Sequence, residues 1–497
     1  MSGLFIIILV LVSVGLILPP TWWDGASPDF LFLIGAIGIW RYGWGLVHLV
    51  RSLIYRRIVF PRMRRHVEGL GEAAQPSHVY LLVTSFRIPR DTTEQVYRGS
   101  IEEALASGYP CTLVASIVDL ADEWLIRRVF ASYPQPERLA LRIVRIDGTG
   151  KRDALAAGFR AIAAERPPDD AAACVIDGDS ILEPGILRSS LPFLNAYPRV
   201  GAFTTDEICE VDGARIFRDW YSMRFAQRHI LMSSMGLSRR VLTLTGRMAA
   251  FRVSVLCDPA FIAMVQDDHI QHWRFGRLKF LTGDDKSSWF FLLRAGWQML
   301  YIPDIRIKTI ETPPNPDFAL ASIQLMMRWF GNMLRTNSRA LALGPGRIGW
   351  FTWWGVLDQR ISMWTSLTGV TGSILVALTG RPMFLIAYIY WVALSRLLQT
   401  LSLLTARKRV QWTYPFLLYY NQIWGSVIKT YMIFHLDRQK WTRQNTTLSD
   451  NSTQRKRYWI ALGSKYAHVS SILALVTVIS VYLRAFDLRA FASAFLY

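Results

Sequence analysis

A chain of 497 residues, 52% of them hydrophobic, is long enough for a sizeable core plus a second module, and its long apolar runs point to a membrane protein. The net charge of +19 comes from arginines crowded beside those runs, so membrane flanks account for it and no nucleic-acid partner is expected. Four cysteines, Cys111, Cys174, Cys209 and Cys257, show no CxxC spacing, which argues for a reducing compartment and against a zinc site.

Residues 3–18 are an uninterrupted apolar run without a basic n-region or a small-residue cleavage site, hence an anchor rather than a signal peptide. The break PPTWWDGASPD follows, then a second span at 30–50. The loop between them holds Asp24 and Asp29 and no Lys or Arg, whereas Arg51, Arg56, Arg57, Arg62, Arg64 and Arg65 follow the second span. The positive-inside rule then puts the loop outside and the chain beyond Arg51 in the cytoplasm. Arg41, near the middle of the second span, must face protein, water or an anionic ligand.

From His78 to about Pro303 short β-branched runs alternate with helical ones. Strands are predicted at 78–84, 112–118, 141–146, 172–176 and 200–205, with helices near 94–107, 121–131 and 151–165, a pattern that gives a mostly parallel sheet covered on both faces. In GTGKRDALAAGFRAIAAE, Gly148 and Gly150 precede a helix whose first turn carries Lys151 and Arg152. Cations there oppose the helix macrodipole, so the pattern reads as a diphosphate site or as a surface helix with badly placed charges. AAACVIDGDS, residues 171–180, is a buried strand that stops at Asp177, Gly178 and Asp179, at the end of a strand where open α/β sheets bind ligands. Two carboxylates one residue apart favour a divalent cation, Mg²⁺ or Mn²⁺, with substrate phosphates completing its shell; the alternative is a solvated Asp-Gly turn.

Further on, TGRMAAFR offers a Gly turn with Arg247 as a substrate-binding candidate, and LTGDDKSSWF presents Asp284 and Asp285 after another apolar stretch. One acidic pair can hold a metal while the other supplies a general base, although an N-cap would account for one aspartate of the second pair. Asp267 and Asp268 read as a solvated turn, and His269 with His272 is too sparse to argue for a metal. Residues 318–335 place Ile323, Met327, Phe330 and Leu334 on one apolar face, a helix for the membrane interface, with a core helix as the alternative. Spans follow at 361–379, 383–404 and 467–484. The stretch 411–434 lies between two basic segments and is expected to enter and return or to lie in the interface, which makes five crossings, with six as the alternative. Trp364, Tyr388, Tyr390, Trp391, Arg396 and Gln399 are available to line a channel, or to form interface belts.

With VIDGDS, TGDD and RW in this order, followed by membrane spans, the chain resembles the processive family 2 glycosyltransferases, which include cellulose and hyaluronan synthases. The strings SHVYLLVTSFR, GTGKRDALAAGFRAI, RFAQRHI, LTGDDKSSWF, SMWTSLTG, YYNQI and LDRQKWTRQ are similar to the alginate-synthase branch of that family. The resemblance implies an α/β GT-A glycosyltransferase domain at 51–315, inserted between two N-terminal transmembrane helices (1–50) and a C-terminal channel region (359–497). Interface helices would fill 316–358, and a gating loop would lie at 436–450.

The same resemblance implies an inverting, processive synthase of the bacterial inner membrane. It would transfer mannuronate from GDP-mannuronate to the 4-hydroxyl of a growing β-1,4-polymannuronate and pass the polymer outward. Asp119 would contact the nucleotide, Lys151 the diphosphate, and Asp177 with Asp179 the diphosphate and metal. Asp285, beside Asp284, would be the base, Arg328 with Trp329 a donor-side clamp, and Trp441, Thr442 and Arg443 part of the gating loop. The family's Gln-x-x-Arg-Trp is broken here by Leu325, and Gln324 is one residue, about 100° of helix, out of place. Arg41 and Arg396 could serve as counter-charges for uronates. Implied partners are a cyclic-di-GMP-binding PilZ-domain subunit and periplasmic alginate assembly proteins. A hyaluronan- or cellulose-type synthase remains open, as does a non-catalytic scaffold or transporter, although two acidic clusters count against the last.

Overall fold

The computed structural model describes residues 2–23, 26–134, 137–439 and 454–484. Two compact units emerge, one built around residues 50–357 and the other around residues 1–49, 358–436 and 450–497.

The larger unit carries a sheet of eight strands in the order β3-β2-β1-β4-β7-β6-β10-β5. These are β1 Val79–Thr84, β2 Cys111–Ile117, β3 Leu139–Arg145, β4 Ala172–Asp177, β5 Ser180–Leu182, β6 Val200–Val211, β7 Met248–Arg252 and β10 Gln298–Glu311; β8 His269–His272 and β9 Gly276–Lys279 form a separate hairpin. Helices Arg90–Ser107, Leu120–Ala131 and Lys151–Ala164 connect β1 to β4, and each of those strands runs parallel to its neighbour. Four of the seven pairings are parallel, and the antiparallel ones involve β7 and β5. Strands β1 and β2 are buried throughout and β4 is buried up to Asp177, because helices cover both faces and leave no polar side to alternate with. All four parallel strands therefore end on one edge, where the loops carrying Asp119, Lys151 and Asp177 begin.

β6 runs six residues beyond the predicted 205, and β10 pairs with it in parallel to Glu311. This extension is charged. Arg306 pairs with Asp206 at 3.5 Å and Lys308 with Glu210 at 2.9 Å across the strands, so its stabilisation is cross-strand ion pairing rather than an apolar run.

Two readings are corrected by packing. Asp268 is not a solvated turn: it is 3% exposed, receives both Nη groups of Arg339 at 2.6 and 2.9 Å, and accepts the Ser287 hydroxyl at 2.5 Å. Nor is Arg152 a phosphate ligand. It is 5% exposed and donates to the Val265 and Thr282 carbonyls at 2.7 and 2.9 Å and to Ser287 Oγ at 3.1 Å. Together they fasten the start of the helix Asp284–Ala295 to the helices beginning at Lys151 and Phe318. Removing one partner of a buried ion pair leaves the other uncompensated, so Asp268→Ala should lower stability by about 3 kcal/mol or more. Thermal unfolding of the purified protein against wild type would read this loss.

The helix Phe318–Ala342 buries Ser322, Leu325, Met326 and Met333; of the predicted face Leu334 is buried as well, while Ile323, Met327 and Phe330 remain partly exposed. Through Phe330 the packed face is thus turned about a quarter-turn or more from the predicted one, and the two meet at the buried Leu334.

Among the described residues, four helices are long and apolar enough to cross a membrane, counting the long helix from Pro28 and the helices Trp350–Leu378, Met383–Thr405 and Gln454–Tyr482. The first apolar helix, Ser2–Ile17, has 16 residues, about 24 Å, which falls short of a hydrocarbon core of about 30 Å. Residues 411–434 form one unbroken helix, Tyr414–Phe434, which is not among the four. Arg41 meets protein: its Nη1 lies 2.5 Å from Asp358 Oδ1. Arg396, 8% exposed, donates to Gln399 on its own helix. The start of the span at Pro28 and the end of the span at Tyr482 adjoin, through Ser27 Oγ on the Tyr482 carbonyl and Arg484 on Asp29 at 2.9 Å. Asp24 lies outside the described residues.

Candidate active site

The site begins with the geometry of one glycine. A Cβ on Gly178 would come within 2.7 Å of the Thr84 carbonyl oxygen, so only glycine lets the Asp177–Asp179 turn close over the end of β1. Asp177 N–H donates to the Arg247 carbonyl at 3.2 Å, and the Asp179 carbonyl accepts from Ile310 N–H at 2.8 Å. The two aspartates are thereby held between β7 and β10.

Lys151 answers them from the first turn of its helix. Its Nζ lies 2.5 Å from Asp177 Oδ1 and 3.2 Å from Asp284 Oδ2, so one ammonium bridges both acidic pairs that the sequence singles out. Burial works against that charge, but Asp177, Asp284 and Asp285 outweigh it and hold the ammonium above the ordinary lysine value. For Asp177 burial, together with Asp179 and Asp284, exceeds the help from Lys151, and its carboxyl is pushed up to about 6. Side chains of Lys151, Asp177 and Asp284 are 23%, 24% and 16% exposed, so a ligand can still reach them. Gly246 approaches closely as well: a Cβ there would stand 2.8 Å from Asp177 Oδ2 and 3.2 Å from Lys151 Nζ.

The second pair is no cap. Gly283 is the N-cap of the helix Asp284–Ala295, no side chain caps it, and both aspartates sit in its first turn. Trp289 anchors this helix, fully buried with its Nε1 donating to the Val241 carbonyl at 2.6 Å. Asp284 is held below the usual carboxylate range: burial opposes its charge, but Lys151 and Arg152 outweigh burial. Asp285 goes the other way, raised by burial and by Asp284, and its Oδ2 accepts the Thr243 hydroxyl at 3.2 Å. Two neighbouring carboxyls are thus pushed apart, one kept as an anion and one made a better proton acceptor. Next to them Lys286 donates to the Leu242 carbonyl at 2.5 Å, and burial lowers its pKa to about 8.

Other expected site residues fall around this centre. Arg247 is engaged by Glu207 at 3.1 Å and Glu311 at 2.5 Å, with its guanidinium over Phe225, and so braces β6 against β10 beside Asp177. Trp329 stacks on Trp220 at 5.6 Å with the Arg224 guanidinium 4.3 Å from its ring centre. One turn on from Arg328, Asn332 accepts the Thr282 hydroxyl at 2.8 Å, which puts that face of the helix against the segment leading into Asp284. Leu325 is buried and Gln324 exposed, as the slipped spacing requires. Asp119 is exposed at the start of the helix after β2, on the same edge of the sheet. Trp441, Thr442 and Arg443 lie outside the described residues. Two residues before Trp441, Gln439 binds the Lys279 carbonyl at 2.8 Å and the Leu281 N–H at 3.1 Å. Thr243, Lys286 and Gln439 escaped the sequence reading, which took Gly246 only as the turn before Arg247; the apolar VLTLTG ahead of Arg247 hinted that a strand-end loop lay there.

A region of the chain from 76 to 332 matches the family model described as "Glycosyltransferase like family 2". The chain is also 50% identical over 448 residues to "Glycosyltransferase alg8" of Pseudomonas syringae pv. tomato, covering 90% of this chain and 91% of that one. The chain belongs to the family 2 glycosyltransferases. A second relative of the same name, from Azotobacter vinelandii, is 50% identical over 446 residues, covering 90% of each chain. Among solved structures, the mannosyltransferase PcManGT of Pyrobaculum calidifontis in complex with GDP-Man and Mn²⁺ is 16% identical with a TM-score of 0.42, covering 80% of this chain and 98% of its own. That likeness is too distant to carry an argument. The glycosyltransferase fold of the chain is of the GT-A type that the resemblance implies, with the mostly parallel sheet expected from the strand and helix pattern and apolar helices near both ends.

Proposed function

We propose that this glycosyltransferase polymerises mannuronate from GDP-mannuronate into β-1,4-linked polymannuronate and passes the polymer across the inner membrane, with its sheet domain on the cytoplasmic side. What carries the reading is Lys151, set between Asp177 and Asp284, in a chain half identical over nine-tenths of its length to proteins named glycosyltransferase alg8. In this reading Lys151 exchanges its carboxylate partners for the donor diphosphate, and Asp119 meets the nucleoside. Asp285 takes the proton of the acceptor 4-hydroxyl as that oxygen attacks the anomeric carbon, which inverts an α-linked donor to a β-linkage. Arg328 and Trp329 line the sugar side, with Arg247 keeping the aspartate turn in place and Trp441 and Arg443 belonging to the loop that covers the donor.

The acidic cluster suits a hard cation. Asp179 and Asp284 both crowd Asp177, Lys151 meets Asp177 and Asp284, and no group of three His, Cys, Asp or Glu ligands stands ready among the described residues. Mg²⁺ or Mn²⁺ commonly takes two carboxylates and leaves the remaining positions to phosphate oxygens. Held by Asp177 and Asp179, such a cation would draw charge from the departing diphosphate.

Six arginines between Arg51 and Arg65 support the cytoplasmic placement. The contacts of Ser27 and Asp29 with the end of the last candidate span support putting both on one side of the membrane. Control by cyclic di-GMP through a PilZ-domain subunit, and hand-over to periplasmic alginate assembly proteins, belong to the same proposal on the likeness alone. Membranes containing the protein, offered GDP-mannuronate, GDP-mannose, UDP-glucuronate and UDP-glucose separately, should release nucleoside diphosphate with the first alone. Turnover of a UDP-sugar instead would make this a hyaluronan- or cellulose-type synthase.

A further inference from the structure

At the foot of the helix Trp350–Leu378 a pocket of about 480 Å³ opens, lined by Arg240, Arg347, Ser238, Gln298, Trp350 and Phe351 among others, and no acidic side chain lines it. A third cation rests on two of its lining residues: Arg51 donates to Ser238 Oγ at 2.6 Å and lies 3.7 Å above the Phe351 ring. None of these arginines pairs with a carboxylate among the described residues. Arg240 donates to the Trp297 carbonyl at 3.5 Å and Arg347 to the Arg294 carbonyl at 2.6 Å, which orients the guanidinium groups without neutralising them. Burial, and then Arg199, disfavour the charge on Arg240 further. Like charges gathered in this way call for an anion.

Depth decides which anion. Trp350 is 71% exposed at the first residue of a membrane-crossing helix, and Arg51 closes the last turn of another, the places where aromatic and basic side chains meet lipid headgroups. We propose that this pocket binds the phosphodiester headgroup of an anionic phospholipid, the phosphate held by Arg240 and Arg347 and the first acyl carbons lying along Trp350. Both arginines rest on carbonyls at or just beyond the end of the helix whose first turn carries Asp284 and Asp285. The headgroup therefore seats the catalytic domain at the bilayer through the same helix. The proposal holds for any sugar donor.

The test is native mass spectrometry of the full chain, released from phosphatidylcholine nanodiscs and titrated with phosphatidylglycerol. One phosphatidylglycerol should be retained in preference to phosphatidylcholine, and Arg240→Gln with Arg347→Gln should weaken it about fivefold for each arginine, as expected for a basic side chain at an anionic surface. The Arg240→Lys, Arg347→Lys protein should keep most of the preference, and it separates lost charge from lost folding. Equal retention of the two lipids by wild type overturns the site. So does a Gln pair that binds phosphatidylglycerol like wild type, and displacement of the lipid by millimolar inorganic phosphate would assign the pocket to a free anion instead.

Discussion

Asp285→Asn should lower turnover by about 10²–10⁴ while leaving donor affinity near wild type. The asparagine keeps the shape of the side chain and the bond from Thr243, whose hydroxyl lies 3.2 Å from Asp285 Oδ2. It cannot take a proton. Because burial and Asp284 raise the Asp285 carboxyl in the free protein, the acidic limb of the wild-type kcat/KM profile should lie above the ordinary aspartate value of 3.8, with activity rising as pH rises through it. In Asp285→Asn that limb should be absent from the residual rate. GDP release and GDP-sugar binding measured on the same membranes distinguish this from a binding defect. Donor binding lost as severely as in Asp179→Ala would remove Asp285 from the chemical step.

Asp179→Ala should abolish metal-dependent turnover, a loss comparable with the first, and weaken donor and Mg²⁺ or Mn²⁺ together. Lys151→Ala removes a different component. Its ammonium neutralises Asp177 and Asp284 at 2.5 and 3.2 Å, so its loss leaves those two carboxyls without their bridge, with Asp179 still crowding Asp177. Donor binding should fall, while apparent metal affinity holds or improves as the competing cation disappears. Calorimetric titration of metal, with and without GDP, reads both variants. An Asp179→Ala protein with full metal-dependent synthesis would return the turn to a purely structural role.

The parallel half of the sheet was legible because strands buried on both faces are continuous apolar runs, as in VYLLVT and AACVI. Extensions of β6 and β10 were not, since DEICEV and DIRIKTIE alternate charges whose partners lie on another strand. The same distance effect governs single residues. Arg152 looked like a phosphate ligand because its acceptors, the Val265 and Thr282 carbonyls, lie more than a hundred residues away, and Asp268 looked solvated because Arg339 is 71 residues on. Lys151, Asp177 and Asp284 were each legible as candidates, from a glycine turn, a strand end and an acidic pair. That they meet was not, because their convergence depends on β7 inserting Gly246 against Asp177. Arg247 carried a local signal of the same strength and instead holds Glu207 and Glu311 together.

The most direct test of the account is polymer formation by purified protein in lipid vesicles, given GDP-mannuronate and Mg²⁺, with wild type and Asp285→Asn side by side. The predicted result is a polysaccharide whose NMR spectrum contains only β-1,4-linked mannuronate, formed by wild type and reduced at least about a hundredfold in the variant. No polymer from GDP-mannuronate, α-linked product, or equal synthesis by the two proteins would contradict it.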